Sequence, residues 1–133
     1  MPEMIHRERD KGRGGHYSHA VRAGDFVFVS GQTPRDADRV IVGKTIEEQT
    51  SVTLENVRLT LEAAGGGLEH VVKVGVFLSD LADARRFNKI YSEHFPAFMP
   101  ARTTVGSELN GVLVEIDVVA YIPELADARE VVV

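Results

Sequence analysis

The feature that most constrains the fold is a run near the end of the chain, residues 112–122, in which every second side chain is apolar. Side chains alternate across a β-strand, so the run predicts a strand with one continuously apolar face. That face consists of Val112, Val114, Ile116, Val118, Ala120 and Ile122. The opposite face carries two carboxylates, Glu115 and Asp117, and charge in such a run is costly unless it has a partner or a purpose.

A second extended run, residues 100–106, precedes this strand and carries Arg102. Asn110 and Gly111 lie between the two runs, and Asn-Gly between extended segments is a strong signal for a β-hairpin. The pattern therefore predicts an antiparallel pair with Arg102 opposite Glu115. From residue chemistry alone, this pair is either a structural ion pair on a half-exposed sheet face or a site for a small carboxylate.

The beginning of the domain predicts another hairpin. Residues 17–22 and 26–30 are rich in β-forming side chains, and a short turn at residues 23–25 joins them. Gly31 and Pro34 then interrupt the strand pattern and let the backbone approach another group closely.

A long amphipathic helix is predicted next. Thr45 and Glu48 have the spacing of a capping box, and apolar positions then recur at steps of three and four residues as far as Ala64. Three consecutive glycines, residues 65–67, end this helix, because glycine readily adopts the left-handed conformation that closes a helix.

A strand and a second helix follow. Residues 71–78 form an apolar run typical of a strand, with residues 72, 74, 76 and 78 expected on one side. Asp80 is placed to cap a helix that Pro96 ends. The side chains expected on one face of that helix are Ala84, Phe87, Tyr91 and Phe95.

The order of these elements predicts an α+β fold with a mostly antiparallel sheet and both helices on one face. A chain of 133 residues with 44% hydrophobic content is sufficient for one domain, which we assign to residues 15–133. Residues 1–14 are polar and charged and are predicted to be a mobile or loosely docked arm.

Composition excludes several classes of function. The chain contains no cysteine, which removes thiol chemistry and thiolate metal sites and suits a reducing cytoplasm. No apolar run approaches the length of a membrane span, so an intracellular, cytoplasmic protein is expected. A net charge of −5 works against binding nucleic acid, whose affinity comes largely from cationic side chains.

Several chemistries lack the residues that they need. The i, i+3 pair His16 and His19 would point to opposite faces of a strand, so a metal site is not predicted. No phosphate-binding loop or nucleophile elbow is present, and Ser30 has no histidine nearby in sequence to act as its base.

The chain resembles the Rid family, also called YjgF or endoribonuclease L-PSP, in short blocks that occur in order over about residues 15–122. The blocks are GHYSHAV at 15–21, FVSGQTP at 28–34, Asn56 with AAG at 63–65, VKVGVFLSDL at 72–81, Phe87-Asn88, Tyr91, Phe95-Pro96, PARTTV at 100–105 and VEID at 114–117. This resemblance implies a chorismate-mutase-like fold and a homotrimer with a central β-barrel and sites between subunits. It also implies hydrolysis of reactive enamines or imines, such as 2-aminoacrylate or 2-iminobutanoate, to 2-oxo acids and ammonia, without a cofactor or a metal.

The resemblance assigns roles to individual residues. It implies that Arg102 binds the substrate carboxylate and that Glu115 positions the attacking water. The remaining residues that it places at the substrate are Tyr17, Ser30, Gly31, Asn88 and Thr104, the last through its backbone N–H. Three departures from the family pattern bear on specificity: Thr104 replaces a common cysteine, His16 replaces a common proline, and the connection at residues 106–112 is short.

Other functions compatible with the resemblance remain open. One is deamination of a longer unsaturated amino acid of the 2-aminomuconate type, which would use the same residues in a larger pocket. The others are a trimer that binds small carboxylates without turnover, and a ribonuclease-type translation inhibitor, against which the net charge argues.

Overall fold

A six-stranded mixed sheet is the framework of the protein, and the computed structural model describes residues 1–7 and 15–123 of the chain. The strands are β1 (Glu3–Ile5), β2 (Ala20–Ala23), β3 (Phe26–Gln32), β4 (Val71–Leu78), β5 (Ala101–Gly106) and β6 (Val114–Tyr121). They lie in the order β1-β2-β3-β6-β4-β5, and every neighbouring pair is antiparallel except β4 with β5. The predicted α+β class with a mostly antiparallel sheet is confirmed.

Helix α1 (Ile46–Ala63) begins at the predicted capping box. The Thr45 hydroxyl accepts a hydrogen bond from the Glu48 N–H at 3.1 Å, and the Glu48 carboxylate accepts one from the Thr45 N–H at 3.1 Å. The helix ends where Gly65 adopts a φ of 91°, the left-handed conformation expected of the first glycine in the triplet.

Helix α2 (Ala84–His94) follows a short 3₁₀ turn, Leu81–Asp83. Asp80 accepts a hydrogen bond from the Ala82 N–H at 2.9 Å, so it caps this turn and not α2 itself. The predicted apolar face of α2 is buried at Phe87, Tyr91 and Phe95.

The core lies between one face of the sheet and the two helices. All six alternating apolar residues of the 112–122 run are buried, as predicted. In β4 the pattern is shifted, because an irregularity between Val71 and Lys73 turns Val71 into the core and leaves Val72 half-buried. The prediction that Val72 shares the buried face was therefore wrong by one residue.

The predicted hairpin between residues 100–106 and 112–122 was wrong, because β4 lies between β5 and β6 and pairs with both. Gly111 does form a turn, with a φ of 80°. The local turn signal does not decide which strand pairs with β6. Placing the apolar β4 inside the sheet buries its face and satisfies both of its edges, whereas the polar β5 is better suited to an edge.

The N-terminal residues contain a strand that the sequence pattern did not indicate. β1 pairs with β2, and Ile5 is buried there. Residues 8–14 of the predicted arm, and residues 124–133, lie outside the described part of the chain. Within residues 1–7 and 15–123, no helix has the length and apolar character that crossing a membrane requires.

Candidate functional site

The residues proposed from the sequence lie at two clefts. The first has a volume of about 340 Å³ and opens where β3 ends beside β6. The second has a volume of about 280 Å³ and lies between α2 and the start of β5. The first is lined mainly by polar and charged groups, among them Tyr17, Ser30, Gly31 and Glu115, whereas the second includes Asn88 and Arg102.

Two glycines make room for the two carboxylates of β6. A Cβ on Gly31 would lie 2.9 Å from the carboxyl carbon of Glu115, and closer still to one of its oxygens. A Cβ on Gly75, which pairs with Asp117 across β4 and β6, would clash with the Asp117 carboxylate in the same way. Each carboxylate therefore lies flat over a neighbouring strand at a position where only glycine leaves the space.

Both carboxylates are partly removed from water. Burial raises the pKa of Glu115, and the negative charge of Asp117 raises it further, while the positive charge of Arg35 opposes both effects. Burial also raises the pKa of Asp117, with a hydrogen bond from the Gly75 backbone and the charge of Lys73 acting in the opposite direction. These two groups therefore hold protons more tightly than ordinary surface carboxylates.

A bulge in β3 positions the segment beside Glu115. The pairing of β3 with β6 shifts register between Val29 and Gln32, so Ser30 and Gly31 do not follow the regular ladder. The Ser30 hydroxyl donates to the Ser18 carbonyl at 2.7 Å. Since its proton is already used, Ser30 presents only acceptor lone pairs to a ligand, which agrees with the absence of a serine nucleophile.

Arg102 lies at the second cleft on two aromatic rings. Its guanidinium carbon is 4.6 Å from the ring centre of Tyr91 and 5.6 Å from that of Phe87. Such stacking restrains the planar group without using the N–H donors at its edge. The residue is exposed, so the fork is available to a ligand.

Within one chain, Arg102 does not face Glu115, and the predicted cross-strand pair was wrong. Arg102 pairs with Val74, on the helix side of the sheet, whereas Glu115 pairs with Phe77, on the opposite side. Two strand spacings and a three-residue offset separate their backbones by roughly 14 Å. The positive charge that acts on Glu115 comes instead from Arg35.

Thr104 lies on β5 two residues beyond Arg102, and its pairing with buried Val76 turns its side chain toward the helices. Its hydroxyl is buried without a hydrogen-bond partner in the described structure. The predicted site residues thus form two groups. Tyr17, Ser30, Gly31 and Glu115 line the first cleft. Asn88 and Arg102 line the second, and Thr104 lies near Arg102 on β5.

The first cleft contains residues that sequence reasoning missed as site residues, notably Arg35 and Arg39. Asn56 organises their loop, since its side-chain amide donates to the carbonyls of Thr33 and Arg35, both at 2.8 Å. A buried asparagine inside the apolar stripe of α1 was the available signal for this anchor. In the described residues, no group of three or more metal-ligating side chains occurs.

Comparisons with known proteins agree with this architecture. A RutC family protein of Saccharolobus solfataricus, SSO3206, is 46% identical over 123 residues, covering 90% of this chain and 98% of that protein. A crystal structure of a putative endoribonuclease from Thermotoga maritima superposes with a TM-score of 0.86 at 37% identity, covering 93% of this chain and all of the other.

A crystal structure of E. coli TdcF with bound serine superposes with a TM-score of 0.82 at 32% identity, covering 90% of this chain and 98% of the other. The family described as Endoribonuclease L-PSP matches residues 12–122. The family match spans most of the chain and agrees with the sheet order, the two helices and the sequence blocks, so this protein belongs to the endoribonuclease L-PSP family, also called Rid.

Proposed function

We propose that this protein hydrolyses small enamines or imines that carry a carboxylate, releasing a 2-oxo acid and ammonia. The observation that carries the proposal is the presence, on one chain, of an outward-facing guanidinium fixed on aromatic rings and a partly desolvated carboxylate at a polar cleft. The guanidinium suits a substrate carboxylate, and the protein carboxylate suits a water molecule that must lose a proton.

The two groups are brought together by a second copy of the chain. The helices cover one face of the sheet, while the other exposes Phe26, Phe28, Val105 and Tyr121, each at 40% or more. Exposed apolar side chains on an uncovered sheet face are typical of a subunit interface. In the homotrimer that the family resemblance implies, Arg102 of one protomer faces the Glu115 cleft of its neighbour.

Arg102 holds the substrate by its carboxylate. Its fork can donate two parallel hydrogen bonds, and the Phe87 and Tyr91 rings limit its rotation. The backbone N–H of Thr104 and the Asn88 side chain complete this half of the site. Fixing the carboxylate in this way places the adjacent carbon at a set distance from the opposite cleft.

Glu115 acts on the water. The raised pKa of Glu115 makes it a stronger base than an exposed glutamate, and the side chain is ionised when the pH is above that pKa. The enamine tautomerises to the imine, the water oxygen bonds to C2, and its proton passes through Glu115 to the nitrogen. The hydroxyl proton of the resulting carbinolamine then passes through Glu115 to the amino nitrogen, the C–N bond breaks as the C2=O bond forms, and ammonia leaves, so the reaction consumes neither a cofactor nor a metal.

The serine bound to TdcF supports a small ligand with a carboxylate in this family. Among such ligands, the 2-aminoacrylate and 2-iminobutanoate type is our first choice of substrate. A cytoplasmic location is part of the proposal, because a chain without cysteine suits a reducing compartment, and fractionation of the source cells tests it.

The decisive experiment generates 2-iminobutanoate with a dehydratase and measures oxo-acid and ammonia formation with and without the protein. Glu115→Gln should strongly reduce the rate but preserve binding of 2-oxobutanoate, because it removes the base and retains the size of the side chain. Asp117→Asn is the matched control and should affect mainly stability or assembly. A larger rate loss at Asp117 than at Glu115 in folded trimers would refute the assignment.

The family description also names ribonuclease activity, which provides a second candidate. Titration of RNA binding against salt separates it from the deaminase, because phosphate contacts give a steep loss of affinity as salt rises. Oxo-acid binding without any acceleration of deamination would instead indicate a trimer that binds carboxylates without turnover.

A further inference from the structure

The loop that follows β3 holds an arginine in a conformation that arginine rarely adopts. Arg39 has a φ of 67°, and among residues 1–7 and 15–123 it is the one residue other than glycine with a positive φ. A side chain on Cβ makes this region unfavourable for most residues, and glycine or asparagine is usual there.

The surrounding turn accounts for the conformation. The Arg39 N–H donates to the Asp36 carbonyl at 2.9 Å, and the Asp36 N–H donates to the Val40 carbonyl at 2.9 Å. The Asp36 carboxylate accepts from the backbone N–H groups of Asp38 and Val40 at 2.9 and 3.0 Å. The turn is thus closed by backbone and Asp36 contacts, none of which requires an arginine side chain at position 39.

The Arg39 side chain lies instead at the first cleft, the one that contains Glu115. Among the described residues, no carboxylate or carbonyl accepts a hydrogen bond from its guanidinium. Asp36, on the same loop, directs its carboxylate to the turn backbone. Arg39 therefore presents a half-buried positive charge that has no partner among residues 1–7 and 15–123.

Arg35 provides a second positive charge in the same cleft. Its guanidinium donates to the Thr33 hydroxyl at 2.9 Å and to the Asn110 carbonyl at 3.1 Å, which fixes its position between two loops. Its charge reaches Glu115, whose pKa it lowers. The cleft thus combines one fixed arginine whose charge acts on Glu115 with a second arginine on the same loop that has no partner in the described part of the chain.

From this arrangement we propose that, beyond the 2-iminobutanoate type, the site favours imines with a second carboxylate remote from the carbon that is hydrolysed, and that Arg39 binds this carboxylate with the help of Arg35. The inference rests on the proposed function, in which Arg102 holds the carboxylate next to the reacting carbon. Arg35 and Arg39 in the first cleft are then available to bind the far end of the substrate. A guanidinium fork suits a planar carboxylate, and strained backbone retained at a cleft is a signature of a ligand contact.

The test compares two 2-oxo acids of equal chain length, 2-oxoglutarate and 2-oxopentanoate, which differ in whether the far end is a carboxylate or a methyl group. Calorimetric titration of the assembled protein should show tighter binding of 2-oxoglutarate. Arg39→Gln should weaken that binding about ten-fold or more and leave 2-oxopentanoate unchanged, since a charge-assisted hydrogen bond is lost only with the diacid. Arg39→Lys should fall between the parent and Arg39→Gln.

Two controls separate recognition from folding. Arg58→Gln removes an arginine charge outside both clefts, where Glu55 and Glu62 pair with it, and should change neither affinity. Arg39→Gly relieves the positive φ, so it should lose the preference for 2-oxoglutarate without lowering Tm. A clear fall in Tm for Arg39→Gly would show that the arginine stabilises the loop, which would overturn the proposal.

The proposal would also be overturned if the parent bound the two acids with equal affinity, or if Arg39→Gln lost affinity equally for both. This outcome is distinct from failure of the deaminase assignment, which is measured by turnover of 2-iminobutanoate. Deamination without a preference for the diacid would refute only the proposed second carboxylate of the substrate. A preference for the diacid that depends on Arg39, in a protein without turnover, would support the anion site at Arg39 and refute the deaminase assignment.

Discussion

At the scale of single residues, the site depends on what the glycines permit. Gly31 on β3 and Gly75 on β4 each leave the space that a β6 carboxylate fills, so the two positions form a matched pair. Neither has a positive φ, and an added methyl group therefore acts through space and not through the backbone.

We expect Gly31→Ala to displace the Glu115 carboxylate and to lower kcat/KM for imine hydrolysis at least ten-fold, a loss typical of a misplaced catalytic group. Gly75→Ala should instead displace Asp117 and lower Tm or weaken assembly, while turnover per assembled trimer is retained. Steady-state kinetics and thermal unfolding of both variants check this. Equal kinetic losses in the two variants would remove the distinction between the carboxylates.

The raised pKa of Glu115 also predicts a pH dependence of stability. In the unfolded chain this side chain has its ordinary pKa of 4.5, so the folded state binds its proton more tightly. Stability must then fall as the pH rises from 4.5 through the folded-state pKa, and the cost of holding the charge is fully present above that value.

Glu115→Gln removes this titration. The variant should therefore unfold at higher denaturant concentration than the parent at neutral pH, and the difference should close as the pH falls below 4.5. Denaturant unfolding at a series of pH values provides the measurement. A variant less stable than the parent at neutral pH would mean that the ionised carboxylate has a stabilising partner in the assembly.

At the scale of elements, helix α2 and edge strand β5 act together on one side chain. The 4.6 Å approach of Arg102 to the Tyr91 ring depends on the i, i+4 spacing that places Phe87 and Tyr91 on one face of α2. The sequence was sufficient to predict that face, whereas the role of Arg102 stays a prediction.

Arg102→Lys keeps the charge and loses both the planar stacking and the fork. We expect roughly ten-fold or greater loss of kcat/KM, corresponding to one charge-assisted hydrogen bond, with little change in Tm. Kinetics and sedimentation of the variant test this together. A parental rate in an intact assembly would show that Arg102 is not the carboxylate anchor.

The same elements show why the sequence pattern wrongly placed Arg102 opposite Glu115 on one hairpin. The capping box of Thr45 and the alternation of residues 112–122 are local patterns, and each correctly predicted its element. The pairing of β6 with β4 is set by burial of a strand some forty residues away, which no turn signal at Asn110 encodes. Arg102 therefore appeared to face Glu115, although β4 separates them.

At the scale of the whole molecule, the proposed site is divided between protomers. Arg102 and Glu115 lie on opposite faces of one sheet, so a single chain cannot apply both to one small substrate. The candidate residues come from the sequence blocks, and the family resemblance already implied sites between subunits. Residue patterns alone placed Arg102 and Glu115 on one hairpin, because they did not predict the sheet order.

This division predicts complementation. Homotrimers of Arg102→Ala and of Glu115→Gln should each be nearly inactive. When the two are mixed in equal amounts, unfolded and refolded together, roughly one quarter of the sites should pair an intact Arg102 with an intact Glu115 and recover activity. Recovery is measured against each variant refolded alone. No recovery in well-formed mixed trimers would place both groups in one protomer.

The central position of β6 also determines when the sheet can be completed. Among the six described strands, β6 alone joins the β1-β2-β3 half to the β4-β5 half, and it is synthesised after the other five. Until it arrives, β3 and β4 both present open edges that can pair with other chains, and closing them requires contacts between distant parts of the sequence. The sheet is therefore expected to be completed only once residues 114–121 are available, and their loss should leave two unjoined half-sheets.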